Sequence, residues 1–170
     1  MNLKTFLAAL CLLGAAPAAL AKTPGEVEIG GSLREATMQG LSGASRNLSS
    51  YRGKPLIITV WASWCGPCRA EIATLEKLSR RGGKQFTVIG ISTDDYPDAA
   101  RLFLSQYKTS FSHFIDSRLF LENMLGADRL PLTLLVDAQG RVLGKYYGAK
   151  DWDSPEARDV VGKSFGIRLP

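Results

Sequence analysis

The 170-residue sequence is short of the side chains that build metal centres and of the long runs that mark special-purpose chains. It has one histidine, His113, and three cysteines, Cys11, Cys65 and Cys68. A tetrahedral zinc site takes four ligands, and Cys65, Cys68 and a distant His113 are the soft ligands outside the first eleven residues. No internal repeat or low-complexity tract is present. No long basic run and no aromatic–basic interleaving accompanies the net charge of +5, so nucleic-acid binding has little support. What remains is ordinary: 45% hydrophobic and 22% charged residues, in a length that suits one mildly basic globular domain.

The first 21 residues differ in kind. "MNLK" is a positive start, "TFLAALCLLGAA" an apolar stretch, and "ALA" at 19–21 a small-residue cleavage signal. Together they read as a secretory signal peptide. Lys4 and Lys22 bracket 17 uncharged residues, the lower limit for a membrane span, so an uncleaved anchor is the alternative. Pro17 and the small residues before Lys22 favour cleavage. Bulky Leu10 before Cys11 argues against lipidation there, which makes Cys11 leader filler. Residues 22–170 form the domain, with enough chain for one core without staples. A leader of this style suits a bacterial periplasm, a compartment that favours disulfides.

Within the domain, 22–53 reads as an extended arm with a small hairpin, with strand-like pieces at "EVEIGG" and "EATMQGL". "KPLIITVWA" (54–62) is a continuous apolar, β-branched run, the pattern of a strand buried on both faces. A helix should follow from Cys65 to Arg81, with Pro67 in its first turn and Gly82–Gly83 closing it. "QFTVIGIST" (85–93) reads as a second buried strand. A helix over 94–107 should open at Asp94, Asp95 and Pro97, the acids serving as caps. A short strand at "SHFID" and a short helix at "RLFLENML" come next. "LTLLVDAQGRVLGKYYG" (132–148) reads as two strands about an Asp-Ala-Gln-Gly turn, and 154–165 as a last helix after Ser-Pro. The order implies a three-layer α/β/α domain around a central mixed sheet.

Cys65 and Cys68 stand in "WASWCGPCRAE". As a structural disulfide they would close a very short loop, worth only about 2 kcal/mol of chain entropy. As a metal clip they lack partners for zinc, though two thiolates suit transient Cu(I) binding. A redox pair fits the position better. Cys65 falls at a helix N-terminus directly after a buried strand, where exposed N–H groups and the helix dipole favour a thiolate. Cys68 falls one turn later and points inward. An acidic outer sulfur and a shielded inner one are what two-step exchange requires: Cys65 attacks a disulfide and Cys68 resolves the mixed species.

Glu71 lies on the same helix. With Cys68 at 0° and 100° per residue, Ile72 falls at about 40°, Leu75 at about 340° and Leu78 at about 280°. Glu71 falls at about 300°, inside this apolar arc, while Arg69, Glu76, Lys77, Arg80 and Arg81 lie on the other side. A carboxylate on a buried stripe is costly unless used. Burial should raise its pKa, so that it can exchange a proton with Cys68 near neutral pH.

The stretch "GKPLIITVWASWCGPCRAEIATLEKL" (53–78) resembles the thioredoxin family, and more narrowly its exported TlpA/ResA/DsbE-like branch. The likeness continues through "FTVIGISTDD" and "LPLTLLVDAQGRVLGKYYG" and covers about 33–165. It implies a thioredoxin-like fold with an N-terminal hairpin extension and a central insertion at 94–125. It implies that Pro131 is a cis-proline against the cysteine pair, that Leu130 meets substrate backbone, and that Trp64, Gly66 and Pro67 belong to the substrate surface. It also implies a functional acid at Glu71. Thr59 stands where cytoplasmic thioredoxins carry a buried Asp, which leaves Glu71 as the proton acceptor. Ala73 replaces a helix-kinking proline, so a straighter helix is expected.

The Gly-Pro between the cysteines resembles the reducing end of the family, whose potentials span about 150 mV from thioredoxin to DsbA. The resemblance therefore implies a periplasmic reductant of protein disulfides, of the cytochrome c maturation or copper-site assembly type. Its cofactor would be none beyond the Cys65–Cys68 disulfide, and its electron donor a membrane protein of the DsbD/CcdA type. A copper-handling dithiol module and a thiol oxidant are the alternatives; peroxidase chemistry lacks its Pro/Thr-flanked cysteine. Trp61 should be core, Trp152 should pack the hairpin end, and His113 should be structural.

Overall fold

The computed structural model describes residues 23–169, so the expected leader, with Cys11 and the expected cleavage signal, lies outside the described residues. Along the chain come β1 (Thr37–Gly40), β2 (Arg46–Asn47), a 3₁₀ turn at Leu48–Tyr51 and β3 (Leu56–Trp61). Then follow α1 (Gly66–Gly82), β4 (Thr87–Ser92), α2 (Pro97–Gln106), β5 (Ser112–Ile115) and α3 (Phe120–Leu125). The chain ends with β6 (Leu132–Val136), β7 (Val142–Tyr147) and α4 (Pro155–Phe165).

The strands form one mixed sheet in the order β2-β1-β5-β4-β3-β6-β7. β3, β4 and β5 run parallel; β6 pairs antiparallel with β3, and β7 with β6. β3 is central, and every one of its six residues is buried. Strand alternation sends Leu56, Ile58 and Val60 to one face, and Ile57, Thr59 and Trp61 to the other. On the second face Ile72, Leu75 and Leu78 of α1, Ala100 and Phe103 of α2, and Ala157 and Val161 of α4 close the core. The first face is covered differently. Its only helix among the described residues is the short α3, and the rest of the layer is arm: Val27, Leu33, Leu48 and Tyr51.

The arm is tied in by more than apolar contact. Val27 N–H donates to the Met124 carbonyl (2.8 Å), and Lys145 pairs with Glu26 at 3.4 Å, both side chains largely buried. The expected strand at 26–31 is absent, because Gly31 N–H turns back to the Glu28 carbonyl and Gly30 takes φ +88°. Ser32 makes only an isolated bridge with Arg141. The hairpin expectation holds through β1 and β2, paired antiparallel.

Two acids differ from their expected places. Asp94 does not cap α2: Tyr96 is the N-cap, with no side-chain bond, and Asp94 is buried elsewhere. Glu76 is not on the solvent side: it is 9% exposed and accepts hydrogen bonds from Ser110 N–H (2.7 Å), Ser110 Oγ (3.0 Å) and Arg80 Nε. It pins the α2–β5 loop to α1, which the one-dimensional wheel places against open water. Trp61 and Trp152 are core, Trp152 edge-on to Tyr146 of β7. His113 is buried with Nε2 against Thr109 Oγ1 (2.9 Å), and burial depresses its pKa to about 4. No helix among the described residues is long and apolar enough to cross a membrane.

Glu76→Ala leaves the Ser110 amide without its acceptor, so it should cost about 1–3 kcal/mol in chemical denaturation. Arg80→Ala removes only an exposed i,i+4 partner and should cost under about 0.5 kcal/mol. Equal losses for the two would contradict the pinning role.

Candidate functional site

The site is built where β3 hands over to α1. Cys65 is the N-cap of α1; its Sγ accepts from Cys68 N–H at 3.3 Å, and Pro67 occupies the first turn, where a missing N–H is harmless. The Cys65 amide turns back to the Ala62 carbonyl (3.1 Å). Cys65 and Cys68 are joined as a disulfide, with Cα atoms 5.4 Å apart. Cys65 is 5% exposed and Cys68 0%, so Cys65 is the less buried residue of the pair, by a small margin.

The turn is clamped from below by Asp94. Its Oδ2 accepts from Ser63 N–H (3.0 Å) and Ser92 Oγ (2.6 Å), and its Oδ1 accepts from Ser63 Oγ (2.6 Å). The Asp94 amide donates in return to Ser92 Oγ at 3.1 Å. Among the described residues, the donors to this carboxylate come from the cysteine turn and the end of β4. Only 3% exposed and with this many partners, the Asp94 carboxyl is well satisfied, and it fixes Ser63 and hence Trp64 and Cys65 against the sheet.

Glu71 is 1% exposed on the inner face of α1, as its helical angle implies. Its Oε1 accepts from Thr133 Oγ1 (2.5 Å) and Thr59 Oγ1 (3.4 Å), and its Oε2 from the Lys150 amide (3.0 Å). Thr59 and Thr133 face each other across the β3–β6 pair. Burial pushes the carboxyl above its usual range; Thr133, the Lys150 amide and Thr59 pull it partway back. The Trp152 indole N–H also lowers it, from outside hydrogen-bond geometry.

Trp64, Cys65, Gly66, Pro67 and Leu130 line one open groove. Trp64 stands 70% exposed at its rim. The Leu130–Pro131 bond is cis, Leu130 packs partly against the cluster that holds both cysteines, and Pro131 is buried. Across the groove stand Asp95, Leu119 and Glu122, from the insertion. Leu119 is the one non-glycine residue with positive φ (55°) among those described. Glu122 is raised by burial and then by neighbouring Asp116. Asp94, Thr133, the Lys150 amide and this acidic far wall are what sequence reasoning missed. A threonine two residues beyond Pro131, on the strand facing Thr59, was the one available signal.

Comparison with known proteins agrees with this geometry. The Redoxin family profile matches residues 28–161. A thiol:disulfide interchange protein DsbE of Pseudomonas fluorescens biotype C is 36% identical over 106 residues, 61% of this chain and 57% of that protein. The chain thus spans a little over half the length of that relative. The thiol-disulfide oxidoreductase ResA of Bacillus thuringiensis subsp. konkukian is 27% identical over 124 residues, 72% of each chain. Among solved structures, one described as a DsbE-type interchange protein from Chlorobium tepidum superposes with a TM-score of 0.76 at 24% identity, covering 82% of this chain and 99% of that one. It shows the same fold.

A carboxyl whose pKa is higher folded than unfolded weakens the fold when ionised. Below the ordinary value of 4.5 both states hold the proton and the penalty is absent. Stability then falls as pH rises from there through the raised value, and the full penalty applies above it. Glu71→Gln cannot ionise, so its melting temperature should exceed the parent's at pH 7, and the gap should close near pH 4. A gap independent of pH in a thermal series would contradict the buried-acid assignment.

Proposed function

The chain belongs to the redoxin family, among thioredoxin-like thiol-disulfide oxidoreductases of the DsbE and ResA type, and from that premise we propose that it reduces protein disulfides in a bacterial periplasm. The observation that carries the reading is the asymmetry of the pair: Cys65 at the groove, capping a helix, and Cys68 sealed one turn behind it. In the reduced protein the α1 amides favour the Cys65 thiolate. That thiolate attacks one sulfur of a substrate disulfide. A Cys65–substrate bond forms, the substrate S–S bond breaks, and the first substrate thiolate leaves. Cys68 then gives up its proton, with Glu71 as acceptor, and attacks Cys65 Sγ. The Cys65–Cys68 disulfide forms and the second substrate thiolate leaves. The substrate has gained two electrons, which the protein has lost; its two thiolates are protonated afterwards, one proton coming from Glu71 and one from water.

The groove suits an extended chain. Leu130, before the cis-proline, lines it together with Gly66 and Pro67 beside Cys65, and Trp64 stands at its rim. The leader at 1–21 supports export, as a soluble protein after cleavage or as a membrane-attached one without it. The Gly-Pro dipeptide supports the reducing direction. The resemblance supports substrates of the cytochrome c maturation or copper-site assembly type, and a DsbD/CcdA-type membrane thiol donor to regenerate the dithiol.

Two measurements test this. Cys68→Ala removes the resolving thiol and should accumulate mixed disulfides with periplasmic proteins through Cys65, released by reductant; Cys65→Ala should trap none. The reduction potential should lie nearer thioredoxin's, about −270 mV, than DsbA's, about −120 mV. An absence of trapped partners, with Cu(I) held by both thiols, would favour the copper-handling alternative. A potential near −120 mV would reverse the direction of electron flow.

A further inference from the structure

Glu71 has two oxygens, and the fold treats them differently. Oε2 faces the backbone N–H of Lys150 at 3.0 Å. A peptide N–H can only donate, so Oε2 must remain an acceptor whatever the charge on the group. Oε1 faces two side-chain hydroxyls, Thr133 Oγ1 at 2.5 Å and Thr59 Oγ1 at 3.4 Å. A hydroxyl carries one proton and two lone pairs, and it rotates. It donates to a carboxylate and turns to accept from a carboxylic acid. Protonating Oε2 would weaken the acceptor of an obligate donor. Protonating Oε1 leaves no backbone N–H without its acceptor, because the group beside it is a hydroxyl that can reverse.

Both threonines are fully buried, and they are direct cross-strand partners on β3 and β6. In the hydrogen bonds of the described residues, the partner of each hydroxyl is Glu71 Oε1. Cys68 on α1, Tyr146 on β7 and Lys150 on the loop to α4 are among the titratable groups on the elements around the carboxyl, and no charged side chain is among the causes of its shift. The Lys150 ammonium is turned over the Tyr146 and Trp152 rings.

We propose that the Thr59–Thr133 hydroxyl pair is the seat of the Glu71 proton: Oε1 is the oxygen that gains and loses it, and the two threonines are positioning residues that hold it in either state. This rests on the reading of Glu71 as the proton acceptor for Cys68. When the resolving thiol ionises, its proton goes to Oε1, one threonine turns from donor to acceptor while the other still donates to Oε1, and the Lys150 amide bond is undisturbed. When the thiol is restored, a proton returns from Oε1. No electron moves in this step. The pair thereby occupies the place of a buried ionisable side chain without adding a second charge to the interior.

The test is a titration of the Glu71 side-chain carbon by NMR in glutamate-labelled protein, with Glu71→Gln identifying the signal, beside a pH series of thiol alkylation on the reduced protein. Thr133→Val and Thr59→Val keep shape and strand preference but lose the hydroxyl. Fewer donors to the charged form must raise the midpoint. Thr133→Val should move it upward by about one pH unit, the loss of one hydrogen bond to a charged group. Thr59→Val, at the longer contact, should move it by less. Thr133→Ser and Thr59→Ser should restore the parent midpoint, which a loss of packing alone would not do. Should Thr133→Val not fold, Thr59→Val and the two serine variants carry the same comparison.

A Glu71 midpoint unmoved in the valine variants, or moved equally by serine and valine, overturns the proposal. If the midpoint moves as stated while the alkylation profile of Cys68 stays where it was, the hydroxyl seat stands. What then falls is the role of Glu71 as acceptor for the thiol.

Discussion

The junction between β3 and α1 governs this molecule, and one carboxylate holds it. Asp94 takes hydrogen bonds from the amide and hydroxyl of Ser63 and from Ser92, and so fixes the turn that carries both cysteines to the edge of the sheet. The turn has to be rigid for chemical reasons. A thiolate at a helix start is stabilised only while the N–H groups point at it, an effect that fades within the first turn. Cys65 Sγ meets the Cys68 amide because the chain enters α1 at a fixed angle. The clamp is therefore as much a part of the redox centre as the sulfurs.

Behind the turn the protein solves a second problem, how to keep an ionisable group in a core. Glu71 sits among Ile72, Leu75 and Trp152 on a face with almost no water. Desolvation alone would hold it neutral over a wide range. The donors from β3, β6 and the β7–α4 loop bring it back toward a workable value. Three elements that share no sequence neighbourhood thus meet at one carboxyl, which couples the active-site helix to the sheet.

Much of this was legible along the chain, and the rest was not for a reason of distance. The apolar, β-branched run at 54–62 fits a doubly buried strand, and β3 is one. Pro67 after Cys65 and the glycines at 82–83 bound α1 well. The inward place of Glu71 follows from helical angle alone. Asp94, by contrast, looks like any acid before a proline, and its partner Ser63 lies 31 positions away. Thr133 and Lys150 reach Glu71 from 62 and 79 positions away. Glu76 was misplaced because a helical wheel knows nothing of the α2–β5 loop that lands on it. Local rules find the elements and the sulfurs, while the groups that tune them arrive through the tertiary fold.

The N-terminal arm has a practical bearing on how the domain is delimited. Among the described residues, one sheet face has only the short α3 as helical cover, and the segment carrying Val27 and Leu33 shelters much of the rest. Trimming the protein to its most recognisable portion, from about the hairpin onward, would strip Glu26 from the largely buried Lys145. Expression boundaries drawn by likeness to minimal thioredoxins would thus cut through the hydrophobic interior that Val27 and Leu33 help to form.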